Sequence, residues 1–161
     1  MKVRHLLCRS QSEEGQSLVE FALAFLVFIF LVFAIFDFGH LFFVEMDVQN
    51  AVQEAARYGS TGNHLPDPKN PDQTLSRVTS IIDTLENDAM GMQFQSIQVT
   101  NTINGTTSSG AGAPGALMTL SATVSMPLVT PLLAQMFPNG QFTFTSSVTI
   151  MNEHFPASQA N

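Results

Sequence analysis

Gly15-Gln16-Ser17-Leu18-Val19-Glu20-Phe21 leads into a block, residues 21–36 (FALAFLVFIFLVFAIF), that holds no charge, no proline and no glycine. Nothing in this block interrupts a helix, and its side chains offer water almost nothing to solvate. At 1.5 Å per residue it spans roughly 24 Å, short of the roughly 30 Å hydrocarbon thickness of a bilayer. The flanks supply the rest: Leu18 and Val19 on one side, then Phe38, Leu41, Phe42, Phe43 and Val44 on the other, interrupted by Asp37, Gly39 and His40. The stretch reads as a membrane-inserted helix with a single acid, Glu20, at its entrance. A carboxylate costs about 2.5 to 3.5 kcal/mol at the middle of such a helix and less near an interface. If the chain were cut after Gly15, the amine of Gln16 would become the new terminus, one turn from Glu20, where the helix end itself favours negative charge. The alternative is an acid that simply reaches back to the headgroups.

Charge asymmetry orients the span. Lys2, Arg4 and Arg9 precede it and the next cation is Arg57, so the positive-inside rule keeps the N-terminus cytoplasmic and sends the remainder across the inner membrane. Glu13 and Glu14 abut the apolar block and no small-x-small site follows it, a poor fit to a conventional secretory signal. Residues 1–15 read as a polar leader in which Gly15 lets a peptidase approach the backbone closely; a plain cytoplasmic tail is the alternative. The expected organisation is a leader at 1–15, a transmembrane helix and its continuation at 16–44, and an extracytoplasmic domain at 45–161.

Composition excludes several functions. The net charge is −7 and the pI about 4.8. Beyond residue 15 the cations are Arg57, Lys69 and Arg77, too few for a basic patch, so a nucleic-acid partner is not expected. Cys8 is the single cysteine, which rules out an intrachain disulfide and a thiol-rich metal site. His5, His40, His64 and His154 lack metal-ligand spacing, and Asp67, Asp72, Asp83, Glu86 and Asp88 lack the spacing of a calcium loop. No catalytic residue, metal site or cofactor is expected. The methionines read as gap-filling core, and Asn104-Gly105-Thr106 matches both a glycosylation acceptor and a hairpin turn.

Past the span the helix changes character. Leu41, Val44, Val48, Ala51, Val52 and Ala55 recur at intervals of three and four, giving an amphipathic continuation that Gly59-Ser60-Thr61-Gly62 stops. The predicted helix runs over 17–58, about 63 Å. Pro66, Pro68 and Pro71 mark a loop. Asn70 is the expected cap of a second helix over 71–90, with Pro71 in its first position, Leu75, Val78, Ile81, Ile82 and Leu85 on one face, and Gly91 at its end. Alternation predicts strands over 94–100, 117–126 and 142–150. Asn104-Gly105 and Pro138-Asn139-Gly140 are turns, 108–115 a flexible connection, and Thr130-Pro131 the start of a short helix reaching Phe137. The expected fold class is α+β: a long N-terminal membrane and amphipathic helix, packed with a second helix on a small antiparallel sheet of about three strands.

Gly15 followed by Glu20 and Phe21 at the head of a long apolar helix resembles the prepilin signature of type IV pilins. More narrowly, Gly15 to Leu23, the Phe36-Asp37-Phe38-Gly39-His40-Leu41-Phe42 segment and Gln49-Asn50-Ala51-Val52-Gln53-Glu54-Ala55-Ala56-Arg57-Tyr58-Gly59 resemble the TadE-like proteins of tight-adherence (Flp) pilus systems; Val148-Thr149-Ile150-Met151-Asn152-Glu153 is similar to their ending. The resemblance implies a pilin-like fold, a cut between Gly15 and Gln16 by a prepilin peptidase, and a Glu20 beside Phe21 that neutralises the Gln16 amine, its own or a neighbour's, inside an apolar bundle where an unpaired charge is expensive. It implies as partners other pilins or pseudopilins, an inner-membrane assembly platform and the lipid bilayer. Major Flp pilins usually carry Tyr after the glutamate and almost no domain beyond the helix. Phe21 and a domain of roughly a hundred residues, enough for a modest core, point instead to a minor pilin or pseudopilin; TadE, TadF and the N-terminal part of TadG-type proteins share these features. The second reading is an uncleaved, signal-anchored binding module, which needs neither a glycine at 15 nor an acid at 20.

Overall fold

The computed structural model describes residues 11–70, 72–89 and 92–159. The expected roles of Lys2, Arg4, Cys8 and Arg9, of Pro71 as a first helical position and of Gly91 as a helix end lie outside the described residues.

Helix α1, Gln11–Ser60, is 50 residues long, about 75 Å. It exceeds the predicted 17–58 at both ends. At the far end Ser60 Oγ donates to Arg57 O and Thr61 Oγ1 to Tyr58 O, each at 2.8 Å. These bonds occupy carbonyls that a helix terminus leaves without partners, and Gly62, at φ 77°, turns the chain away. All six residues predicted to face a core, Leu41, Val44, Val48, Ala51, Val52 and Ala55, are buried, whereas the apolar side chains before Asp37 are largely exposed.

Helix α2 is Arg77–Asp88, which corrects the predicted 71–90. Two side chains decide its start. Ser76 Oγ accepts from the Thr79 N–H at 3.1 Å and caps the helix. Upstream, Asp67 Oδ1 accepts from the Lys69 N–H at 2.8 Å and Oδ2 from Asn70 Nδ2 at 3.1 Å, committing Asn70 to a turn rather than to a cap. Leu65 and Leu75 are joined by a backbone bond of 2.9 Å, so the proline loop closes on itself before α2 begins. Ile81 and Leu85 carry the apolar face, and Gly59 lets α2 approach α1: a Cβ there would fall 2.4 Å from Ile81 Cδ1.

The sheet is antiparallel throughout, in the order β2-β1-β3-β4, with β1 Phe94–Ile103, β2 Thr106–Ser109, β3 Leu117–Pro127 and β4 Gln141–Met151. The three predicted strands are present, and β2 adds a short fourth. Asn104 and Gly105, both at positive φ, make the two-residue turn that folds β2 onto β1. Along β3 Met118, Leu120, Ala122, Val124 and Met126 are buried as the alternation predicts, and Phe142, Phe144, Val148 and Ile150 of β4 pack against the same core. The opposite face is a ladder of hydroxyls, with Thr119–Thr149, Thr123–Thr145 and Ser125–Thr143 paired at 2.8, 2.9 and 2.6 Å.

The connection predicted to be flexible, 108–115, is held instead. Its first residues belong to β2. Beyond them Asn101 Nδ2 donates to Gly110 O at 3.0 Å, while Asn152 Nδ2 donates to Ala111 O and Ala113 O at 2.8 and 2.9 Å. Two amides thus satisfy a run of carbonyls that no ladder reaches. The helix predicted to start at Thr130-Pro131 and reach Phe137 is shorter: α3 is Pro131–Ala134, followed by a 3₁₀ turn at Pro138–Gly140.

Strand β4 runs alongside the second half of α1. Near its start Phe142 lines an apolar cleft with Phe38, Leu41 and Phe42, and just past its end the Glu153 N–H donates to Ser60 O at 2.9 Å. The rise of α1 between those points is about 33 Å, close to that of an eleven-residue strand. The core therefore lies along the distal half of the long helix, and the proximal half projects beyond it.

Candidate functional site

The four residues singled out at the head of the apolar block lie on one continuous helix. Gly15 stands in open space on α1. One turn brings Gln16 and Glu20 together: Gln16 Nε2 donates to Glu20 Oε1 at 3.2 Å, so in the intact chain the residue whose amine a cut would free already faces the carboxylate with its side chain. Phe21, the next residue round the helix, faces elsewhere and stacks on Phe25 at 5.9 Å between ring centroids. Gln16, Glu20 and Phe21 are all exposed. A carboxylate acceptor, an amide donor and an aromatic stack therefore occupy two consecutive turns on an exposed surface of α1.

The surface beyond them is apolar without interruption to Phe36. α1 is long and apolar enough to cross a membrane: its most apolar 18-residue window has a mean hydropathy of 2.9, and none of that window is buried. Phe21, Phe25, Phe28, Phe33 and Phe36 all lie open. A soluble fold does not leave a surface of this extent uncovered.

Asp37 is the first acid on the helix after Glu20, and the sequence marked it only as an interruption of the apolar run. It is 7 % exposed. Oδ1 accepts from the Val129 N–H at 3.0 Å and Oδ2 from the Thr130 N–H at 2.8 Å. One carboxylate on the long helix thus holds two backbone donors of the segment that enters α3, a charge-assisted pair of bonds. The signal available in the sequence was its cost: an acid between Phe36 and Phe38 is retained only where donors meet it.

A second buried charge sits at the other end of the domain. Arg77, fully buried at the start of α2, donates from Nη2 to Gly112 O at 2.5 Å and lies over the Phe155 ring at 4.8 Å. Burial pushes its guanidinium below the usual value, yet an arginine stays charged in a protein. It ties α2, the 110–116 loop and the C-terminal tail together. Among the described residues no three acidic, histidine or cysteine side chains gather as a metal site would require.

Residues 15–57 match the family model of the TadE-like proteins. The matched segment begins at Gly15, contains Gln16, Glu20, Phe21 and Asp37, and falls wholly within α1. No curated protein and no solved structure matches the chain.

Proposed function

We propose that this chain is a minor pilin or pseudopilin of a tight-adherence type IV pilus, cut after Gly15 by a prepilin peptidase and active in pilus assembly, and through it in adhesion or secretion. The observation that carries the reading is a coincidence of boundaries. The TadE-like match spans the helix whose proximal half presents an uncovered apolar surface headed by the Gln16–Glu20 pair. In the uncut precursor Glu20 has a neutral amide for a partner. Cutting adds an ammonium on the Gln16 main chain one turn away, which neutralises the acid and lets the helix leave the headgroups for an apolar bundle of neighbouring pilins.

On this reading 1–15 is the leader, 16–44 the transmembrane helix with its continuation and 45–161 the extracytoplasmic domain. The N-terminus is cytoplasmic. The partners are the peptidase, other pilins or pseudopilins, the inner-membrane platform and the bilayer; the role is structural rather than enzymatic. Intact-mass measurement of protein extracted from the membranes of its native cell tests the proposal. The expected mass is that of a chain beginning at Gln16, and recovery of the uncut chain from cells with an active prepilin peptidase refutes it.

A further inference from the structure

Between β3 and β4 the chain forms a lobe, residues 128–140, that contains no charged residue. It is closed by a bond from the Leu128 N–H to Gly140 O at 3.2 Å and braced by Phe137, edge-on to Phe142 at 5.7 Å. Asp37 pins it to α1 through Val129 and Thr130. Leu128, Leu133 and Phe137 of the lobe share an apolar cleft with Phe38 and Phe42 of the helix. Despite that anchorage, Val129 and Met136 are 74 % and 76 % exposed, continuing the open apolar surface of Phe36, Phe38 and Phe42.

The level of the lobe on the helix says what covers it. Counted from Leu18, a hydrocarbon thickness of roughly 30 Å is used up after about 20 residues, at Asp37. The lobe is fixed to that residue. A water-facing loop gains from charged side chains, whereas this one is neutral and holds its aliphatic tips outward, the composition of an element lying in a membrane interface. We infer that residues 128–140 form a foot resting on the outer leaflet, with Val129 and Met136 inserted at the boundary between headgroups and acyl chains. The inference rests on the reading of α1 as a membrane span. The foot would fix the tilt of the domain over the bilayer before the subunit is extracted, and extraction would then have to withdraw two apolar contacts, not one.

The chain has no tryptophan, so single substitutions report on single sites. Phe28→Trp, Val129→Trp, Met136→Trp and Thr107→Trp variants of the whole chain are reconstituted in phosphatidylcholine–phosphatidylglycerol vesicles, without brominated lipid or with lipids brominated either near the headgroup end or near the methyl end of the acyl chains. Phe28→Trp reports the span, and Thr107→Trp the distal strand β2. The expected result is loss of emission to brominated lipid and resistance to aqueous iodide at 28, 129 and 136, with the reverse at 107. Iodide quenching at 129 and 136 equal to that at 107, with 28 still quenched by lipid, overturns the foot and leaves the span standing. Protection of 129 and 136 from iodide without quenching by lipid places them against a protein surface, a second copy included, and also overturns it. If lipid fails to quench 28 as well, the membrane reading itself falls.

Discussion

The carboxylate of Asp37 accepts the backbone N–H of Thr130 at 2.8 Å across 93 positions of sequence, joining the point where the apolar block of α1 ends to the segment that enters α3. The relationship is asymmetric. Removing the acid leaves the Thr130 N–H buried without an acceptor, and the Val129 N–H loses its acceptor as well. Hydrogen bonds to a charged group are worth roughly 1.5 to 3 kcal/mol each when lost, and the partial exposure of the Val129 bond places the total at the low end. Asp37→Ala is expected to lower the unfolding free energy by about 3 kcal/mol in detergent, read from the denaturant midpoint. Asp37→Asn, which keeps an acceptor, should lose less, and Glu54→Ala, exposed on the same helix, next to nothing.

Gly59 is a packing residue. Its backbone is helical, so an alanine there meets no strain of its own, but the added Cβ would fall 2.4 Å from Cδ1 and 2.5 Å from Cγ1 of the fully buried Ile81. Overpacking of this kind costs about 1 to 3 kcal/mol. Gly59→Ala should therefore destabilise by that amount. Ile81→Val, which alone costs about 0.5 to 1.5 kcal/mol, should restore part of the loss in the double variant because it removes the clashing Cδ1. Strictly additive losses in the double-mutant cycle would show that α1 and α2 do not meet at this point.

Much of this was legible before any coordinates. The buried face of α1 and the inner face of β3 follow from periodicity, because the partners of such residues are a layer rather than a particular atom: Val48 or Leu120 needs only an apolar surface opposite. The one-turn spacing of Gln16 and Glu20 was legible as well, but that reading paired Glu20 with a freed amine, and the side-chain amide that donates to it in the intact chain was not foreseen. Asp37, Arg77, Asn101 and Asn152 were not legible, since each bonds backbone groups of a loop, and no spacing rule links Asp37 to Thr130, Arg77 to Gly112 or Asn152 to Ala111. The start of α2 was misread because Asn70 and Ser76 are both good caps, and the choice fell to Asp67, whose side chain claims the turn at 67–70. Strand β2, made only of threonine and serine, has no apolar alternation to reveal it.

That same Asp67 sets a pH dependence. The Lys69 N–H and then the Asn70 side chain hold its carboxyl below the ordinary aspartate value of 3.8. A carboxyl lowered on folding contributes stability that is fully present above its unfolded value and is lost as pH falls through the folded one. Wild type is therefore expected to exceed Asp67→Asn in stability at neutral pH and down to about pH 4, and the two should converge as pH drops further. Denaturant titrations of both proteins between neutral and strongly acidic pH check this, and a gap that persists at the acid end would mean that the loop is held by something other than the charge.

Glu20 separates membrane insertion from assembly. Its side chain is exposed and, among the described residues, accepts from the Gln16 amide one turn away, so the packing of the folded domain does not depend on it. Replacing it with alanine removes a charge from the entrance of the apolar block, which makes insertion easier rather than harder. What the substitution takes away is the acceptor for the amine that a cut after Gly15 exposes; in an apolar bundle that ammonium would be left without a counter-charge. Glu20→Ala should therefore fractionate with membranes as wild type does and still yield a chain starting at Gln16, yet lower the number of surface pili counted by electron microscopy. Glu20→Gln should show the same defect, because an amide keeps the side chain's size and one acceptor oxygen but not its charge. Full piliation by the glutamine variant would mean that shape alone serves, and would remove the charge pairing from the account of assembly.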